Sequence, residues 1–294
     1  MLSLVYADLH IHTLASDGSL APAAILELAR QKGLKALSFT DHESLSGYIE
    51  VHSQARELGL ELLPGIEMVT SFRGREIHLL GYNFDPTAPV LASALEEIRR
   101  ERRIIARQVI RRLQNLGFNI SWEQVESLIP PGGVLGKNHI LQVLRHCGYI
   151  DNQEKTIEFL RRYLGPGGLA YIPYEGNPLP RAVALIHAAG GISVLAHPGL
   201  INDDTLVNCI LEEGIDGLEV FYYYLGSKRR ELIHSYYRLA KERHLLITGG
   251  TDFHGLYAPV ALGTMGISAA MLAGLSKHQP PGANISPGEV SFLR

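Results

Sequence analysis

The feature that most constrains this chain is its alternation of short apolar strands with amphipathic helices, broken once by a long stretch that carries no strand signal. Residues 2–9 read as a strand, 22–33 as a helix closed by Gly33, 35–41 as a strand and 44–59 as a helix closed by Gly59. Two more strands are expected at 60–69 and 75–84. The rhythm resumes near Asn177 with a helix at 178–191, a strand at 192–198, a helix at 203–214 and a strand at 215–221. A helix at 227–244, a strand at 245–255 and a last short strand at 262–268 complete it. Helices between short strands predict βα units and a largely parallel sheet. Six or seven such units fit a barrel better than an open dinucleotide-binding sheet, and the loop after the first strand has no GxGxxG.

From Val90 to about Gly168 the pattern is helical and rich in arginine, with loops marked by the PPGG at 130–133 and the GPGG at 165–168. This predicts an α/β barrel domain built from residues 1–88 and 170–294, carrying a small helical insertion domain over 89–169.

Charge and cysteine usage narrow the function classes. The net charge of −3 supplies no general basic field, so no long nucleic acid is expected as a partner. Cys147 and Cys209 have neither CxxC nor CxxH spacing, which argues against a disulfide framework and a thiolate zinc site and for a reducing, cytoplasmic setting. The N-terminus has no basic stretch and an acid by Asp8, so it does not read as a signal peptide. No apolar run approaches the roughly 20 residues of a membrane span.

The 13 histidines then become informative. Chemistry on an α/β barrel gathers at the C-terminal ends of its strands. There the chain places Asp8, His10 and His12 with Asp17 beyond them, Asp41 and His42, Glu67, His78, His197, and Asp252 with His254. An HxH on a strand turns both imidazoles to one face, because side chains alternate with period 2. Alone, each motif is weak, and His78 by itself reads as a half-buried structural residue. Structural histidines have no reason to gather at one end of successive strands, whereas a metal centre requires it. His52, His187, His234 and His244 fall in predicted helices, and His146 and His278 have no company; all six are read as surface or core residues.

Together DLHIHTLASDG, SFTDH, GIE, the histidine of IHLLGY, LAHP and GTDFHG resemble the PHP (polymerase and histidinol phosphatase) family of metal-dependent phosphoesterases. The resemblance frames the whole chain. It implies a distorted (βα)7 barrel with three divalent ions at the strand C-termini. The first would be held by His10, His12, Glu67 and Asp252. The second would take Glu67 as a bridge with His78 and His197, and the third Asp17, His42 and His254. Donors that are all nitrogen or oxygen suit manganese, iron or zinc. The ions would make hydroxide available near neutral pH and offset charge during in-line attack. Glu67, His197 and Asp252 are the expected catalytic residues, with the general acid open between His197 and a metal-bound water. Asp8 and Asp41 are expected either to orient imidazoles or to satisfy backbone groups at strand ends.

The order of segments further resembles a bacterial subgroup with a helical insertion, which includes a nucleoside 3′,5′-bisphosphate phosphatase and a 5′-to-3′ exoribonuclease trimming short RNA. In that subgroup the insertion opens with arginines and later carries a basic-x-His segment, matched here by Arg99 and Arg102 and by Lys137 and His139. Arg99 and Arg102, three apart on a helix, could present two guanidinium forks to one phosphate, or belong to a solvated face. Lys137 stands where the subgroup carries arginine and offers a point charge instead. Tyr222, Tyr223 and Tyr224 could stack a base or sugar, or pack under the barrel rim. The expected substrate is a small phosphorylated nucleotide. Alternatives are a short oligonucleotide, histidinol phosphate, an amidohydrolase, and a metal-stabilised polymerase-associated binding module.

Overall fold

The computed structural model describes residues 5–256 and 260–277; His278 and the first residues of the strand expected at 2–9 lie outside them. The barrel opens with β1 (Ala7–Ile11), α1 (Pro22–Gln31), β2 (Ala36–Phe39) and α2 (Ser46–Glu57). Two strands then follow directly, β3 (Glu61–Phe72) and β4 (Arg75–Tyr82). Next come α3 (Pro89–Asn115), α4 (Trp122–Glu126), α5 (Lys137–His146) and α6 (Gln153–Phe159), the last running into a π-helical turn at Leu160–Leu164. The second half comprises α7 (Leu179–Ala188), β5 (Ile192–Leu195), α8 (Asp204–Leu211), β6 (Gly217–Tyr222), α9 (Arg229–Glu242), β7 (Leu246–Gly250) and α10 (Ala269–Lys277).

The seven strands pair in sequence order. Bonds of 2.8 and 3.3 Å between the backbones of β1 and Phe253, just beyond β7, nearly close the ring. The fold is thus the expected seven-stranded α/β barrel, with one correction to the parallel sheet. β4 runs antiparallel to both β3 and β5. The cause is local: Arg73 and Gly74 both have positive φ, 49° and 73°, which makes a two-residue hairpin of the kind that suits twisted strands. A two-residue link cannot carry the crossover that a parallel neighbour needs. The last strand expected, at 262–268, is reduced to a single bridge from Ile267 to Ala7.

Helices cover the barrel with apolar faces. Ile25, Leu26 and Ala29 of α1 and Val51 and Ala55 of α2 pack with Ile11, Leu37 and Phe39. On the other side, α7, α8 and α9 bury Val183, Ile186, Val207, Ile210 and Tyr236 with Ile66, Leu79, Leu195 and Leu218. The 27 residues of α3 span about 40 Å and belong to two cores. Leu91, Ala94, Leu95 and Ile98 join the barrel cluster, while Ala106, Val109, Ile110 and Leu113 join a second one with Val125, Ile140, Leu144 and Phe159. The helices between β4 and β5 therefore have an apolar core of their own, which shares the long α3 with the barrel core.

Candidate metal centre

Period-2 alternation on β1 carries His10 and His12 to the same side, where both are fully buried. The chain accepts backbone strain to place other members of the set. His197 and Asp252, each just past a strand end, have φ of 29° and 53°. Side chains larger than glycine occupy that region at a cost of about 1–3 kcal/mol, and such outliers cluster at functional sites.

The nine residues singled out from the sequence come together in three groups. His10, His12, Glu67 and Asp252 form one, Glu67, His78 and His197 the second, and His12, Asp17, His42 and His254 the third; within each, the donor atoms lie within 4.8 Å of one another. His12 in the third group is an addition to the expected set. Glu67 lies where the groups meet. Its Oε1 is 2.8 Å from His78 Nδ1 and 3.2 Å from His197 Nε2. Its Oε2 is 3.1 Å from His12 Nε2 and 3.4 Å from both His10 Nε2 and His42 Nδ1.

These donors fit divalent ions on an observation independent of family. His10 Nε2, His12 Nε2, His42 Nδ1 and Asp17 Oδ1 are buried without a hydrogen-bond partner. Buried polar atoms are almost always satisfied, so four orphans converging on shared carboxylates point to cations between them. Nitrogen and oxygen donors without thiolate suit first-row divalent metals.

Electrostatics agree. Burial alone would raise the Glu67 carboxyl, but His78, His10 and His42 hold it well below the usual range. Burial is likewise overruled at Asp252 by His10 and His254, and at Asp17 by His254 and His42. Burial would lower His12 and His78, yet the carboxylates around them push these imidazoles up to about 10 and about 9. At His42 burial wins and the ring is held neutral. The cluster is therefore an excess of negative charge that binds protons when it lacks metal.

The surroundings divide the remaining expectations. Asp8 accepts from Thr251 N at 3.0 Å, Thr251 Oγ1 at 2.7 Å and Gly263 N at 2.9 Å, and orients no imidazole. Asp41 accepts from Thr13 N at 2.7 Å and Ser16 Oγ at 2.6 Å, and reaches His12 only through Ser16. The carboxylate that orients an imidazole directly is Glu219 on β6, which the sequence reading missed. Its Oε1 lies 2.9 Å from His10 Nδ1 and its Oε2 accepts from His197 N at 2.8 Å. The available signal was an acid at the centre of the apolar strand GLEVF.

Arg99 and Arg102 do share a face, and both turn to Glu43, a second residue passed over in the sequence. Arg102 forms an ion pair with its carboxylate, and Arg99 donates to its carbonyl at 3.5 Å. Lys137 pairs with Glu76, whose Oε1 also lies 3.3 Å from His78 Nε2. His139 is buried and accepts from Gly136 N at 3.1 Å. Tyr222 donates to Asp252 Oδ2 at 3.1 Å, with its ring edge-on to His197; Tyr224 is buried and its hydroxyl accepts from Gly199 N at 3.1 Å, and Tyr222, Tyr223 and Tyr224 all line the cleft beside the site. His52, His146, His234 and His244 are exposed, and His187 is tied to Asp216 at 2.7 Å. An open cleft of about 1190 Å³ leads away from Asp17, Asp252 and His254 between α5 and α6 on one side and residues 222–228 on the other.

Comparison with known proteins agrees with this geometry. The PHP domain profile matches residues 8–165. A 5′-3′ exoribonuclease of Haemophilus influenzae is 32% identical over 252 residues, covering 84% of this chain and 89% of that protein. A 3′,5′-nucleoside bisphosphate phosphatase of Chromobacterium violaceum is 29% identical over 252 residues, covering 84% and 86%. Among solved structures, an amidohydrolase of Chromobacterium violaceum with bound sulfate and no metal superposes with a TM-score of 0.81 at 26% identity, over 95% of this chain and all of that one. Barrel and site define a metal-dependent phosphoesterase. The chain belongs to the PHP domain family. Among the described residues no helix is long and apolar enough to cross a membrane.

Proposed function

We propose that the chain hydrolyses a phosphate monoester of a small nucleotide, the 3′-phosphate of a nucleoside 3′,5′-bisphosphate, using three divalent ions drawn from manganese, iron or zinc. The observation that carries the metal assignment is Glu67, whose two oxygens face five imidazoles from four strands. His10, His12, Glu67 and Asp252 would hold one ion, Glu67, His78 and His197 a second, and Asp17, His42 and His254 a third. Ions bound there supply Lewis acidity toward phosphoryl oxygens and an activated water near neutral pH. The chain's own residues do the rest. Glu67 would serve both of the first two positions. Tyr222 holds Asp252 in place. Lys137, on the rim beside Glu76, brings positive charge to the mouth, and Arg102 and Arg99 add more behind it. The proton for the leaving oxygen would come from His197 or from a water bound by the ions.

The nucleotide reading draws on the bisphosphate phosphatase relative and on the sulfate held by the structural neighbour, since sulfate is an isostere of phosphate. A second reading, a 5′-to-3′ exoribonuclease on short oligonucleotides, is favoured by the cleft, which is open enough to take more than one nucleotide. Against an amidohydrolase, Glu67 would take the bridging role that a carbamylated lysine would otherwise fill. The absence of thiolate ligands and the two free cysteines support work in the cytoplasm.

Hydrolysis by manganese-loaded protein tests this on four compounds: phosphate release is followed for a nucleoside 3′,5′-bisphosphate, a nucleoside 5′-monophosphate and histidinol phosphate, and release of a nucleoside 5′-monophosphate for a 5′-phosphorylated trinucleotide. Selective hydrolysis of the bisphosphate is expected. Preference for the trinucleotide transfers the assignment to the exonuclease reading, and inactivity of metal-loaded protein on all four overturns both.

A further inference from the structure

The third group differs from the others in how its carboxylate is held. Asp17 lies in the loop after β1, 2% exposed, with Oδ1 unpartnered and facing His12 and His254 at 3.9 and 3.5 Å. Its other oxygen leaves the barrel altogether: Oδ2 accepts from the backbone N–H of Asn138, in the first turn of α5, at 3.1 Å. Two residues earlier, Gly136 packs against the same carboxylate so closely that a Cβ there would stand 2.0 Å from Oδ2. Val134 N donates to Ala15 O at 3.0 Å, so the whole 134–138 segment is seated on the Asp17 loop. The ring of His139 closes the turn by accepting from Gly136 N.

Resting on the three-ion reading above, we propose that the helical segment between β4 and β5 is a working part of the third metal position: Gly136 and Asn138 fix the Asp17 carboxylate, so filling that position and seating α5 on the barrel are coupled. Gly136 and Asn138 are positioning residues that act through Asp17. Coupling of this kind is reciprocal, so an ion at the third position stabilises the seated helix as much as the seated helix strengthens the ion. Because α5 also walls the cleft through Asn138, Leu141 and Gln142, the same coupling makes the shape of the substrate cleft depend on metal loading.

Gly136 offers a clean probe. Its φ of −127° and ψ of 172° are ordinary extended values, so alanine there is strained only by its contact with Asp17. Metal content at graded free manganese is measured for the full-length chain and its Gly136→Ala variant, together with hydrogen exchange over 134–146. The wild type is expected to hold three ions, and exchange over 134–146 is expected to slow as the last one binds. In the variant two ions remain tightly held, the third is weakened about 10–100-fold, as when a group supporting a ligand is lost, and the late protection disappears. A variant binding all three with wild-type affinity overturns the proposal, as does wild-type protection that is complete before the last ion. Should the variant fail to fold, the exchange measurement on the wild type still decides. A wild type that saturates at two ions removes the three-ion reading itself, an outcome distinct from an unaltered variant of a three-ion protein.

Discussion

The two halves of the candidate metal centre are built differently. The half around Glu67 is assembled from the barrel alone, with His10 on β1, His78 on β4, and His197 and Asp252 just past β5 and β7. Its outer support is also barrel, since Glu219 on β6 ties His10 to His197. The half around Asp17 takes its carboxylate from a loop and steadies it with backbone from α5, 121 residues away in the chain. The nearly closed ring of strands thus carries the two groups that share Glu67, while the third group draws on a segment outside the ring. The two halves should respond unequally to damage.

Glu67→Ala should produce the largest loss. It removes the residue common to two groups, so metal analysis is expected to show two ions lost and phosphate release to fall by about 10³-fold or more. Asp17→Asn should cost only the third ion. Equal metal loss in the two variants would abolish the distinction between the halves.

Arg102→Ala comes next and acts on stability. Arg102 is 12% exposed and paired with fully buried Glu43, which also accepts from Val69 N at 2.7 Å. Removing one partner of a buried pair leaves the other uncompensated, and about 3–5 kcal/mol of unfolding free energy should be lost in denaturant titration. Adding Glu43→Gln should recover part of that. A variant as stable as the parent would free Arg102 for a purely substrate-binding role.

Much of this centre was legible because period-2 alternation and strand ends fix direction: HxH on β1 and DxH after β7 point where the strands must point them. What escaped were contacts between elements distant in sequence. Glu219 sits in mid-strand, where a lone acid in an apolar run shows no direction of use until His10 and His197 are folded against it. Glu43 escaped because Arg102 approaches it from the long α3. The antiparallel β4 was hidden in the Arg73–Gly74 link, whose paired positive φ values no alternation pattern announces. Asp8 looked like a companion of histidine because of its neighbours in sequence; its hydrogen bonds went to Thr251 and Gly263 instead.

Glu219→Gln should have a smaller effect confined to the Glu67 half. The amide keeps the shape but cannot accept from both His197 N and the His10 ring as a carboxylate does. Metal affinity of that half is expected to drop about 10–100-fold, with thermal stability of the loaded protein little changed. Weakening of the Asp17 position alone would reverse the assignment.

The smallest effect concerns protein stripped of metal. His12 and His78, raised to about 10 and about 9 by neighbouring carboxylates from an ordinary 6.5, bind protons more tightly folded than unfolded. Their contribution to stability is complete below pH 6.5 and is lost as pH rises through 9 to 10, when the carboxylates face one another without compensation. Around Asp17, burial already keeps His42 neutral, and the Asp17 carboxyl titrates far below that window. Thermal unfolding in chelator should therefore shift down by a few degrees from neutral to alkaline pH. Manganese-loaded protein should show no such drift, since a ligating imidazole is already neutral. Glu67→Ala should weaken the drift in chelator, leaving the part that Asp252 and Glu76 sustain, and Asp17→Asn should leave it intact. A flat profile in the stripped wild type would mean that the Glu67 half is not the concentration of negative charge its geometry describes.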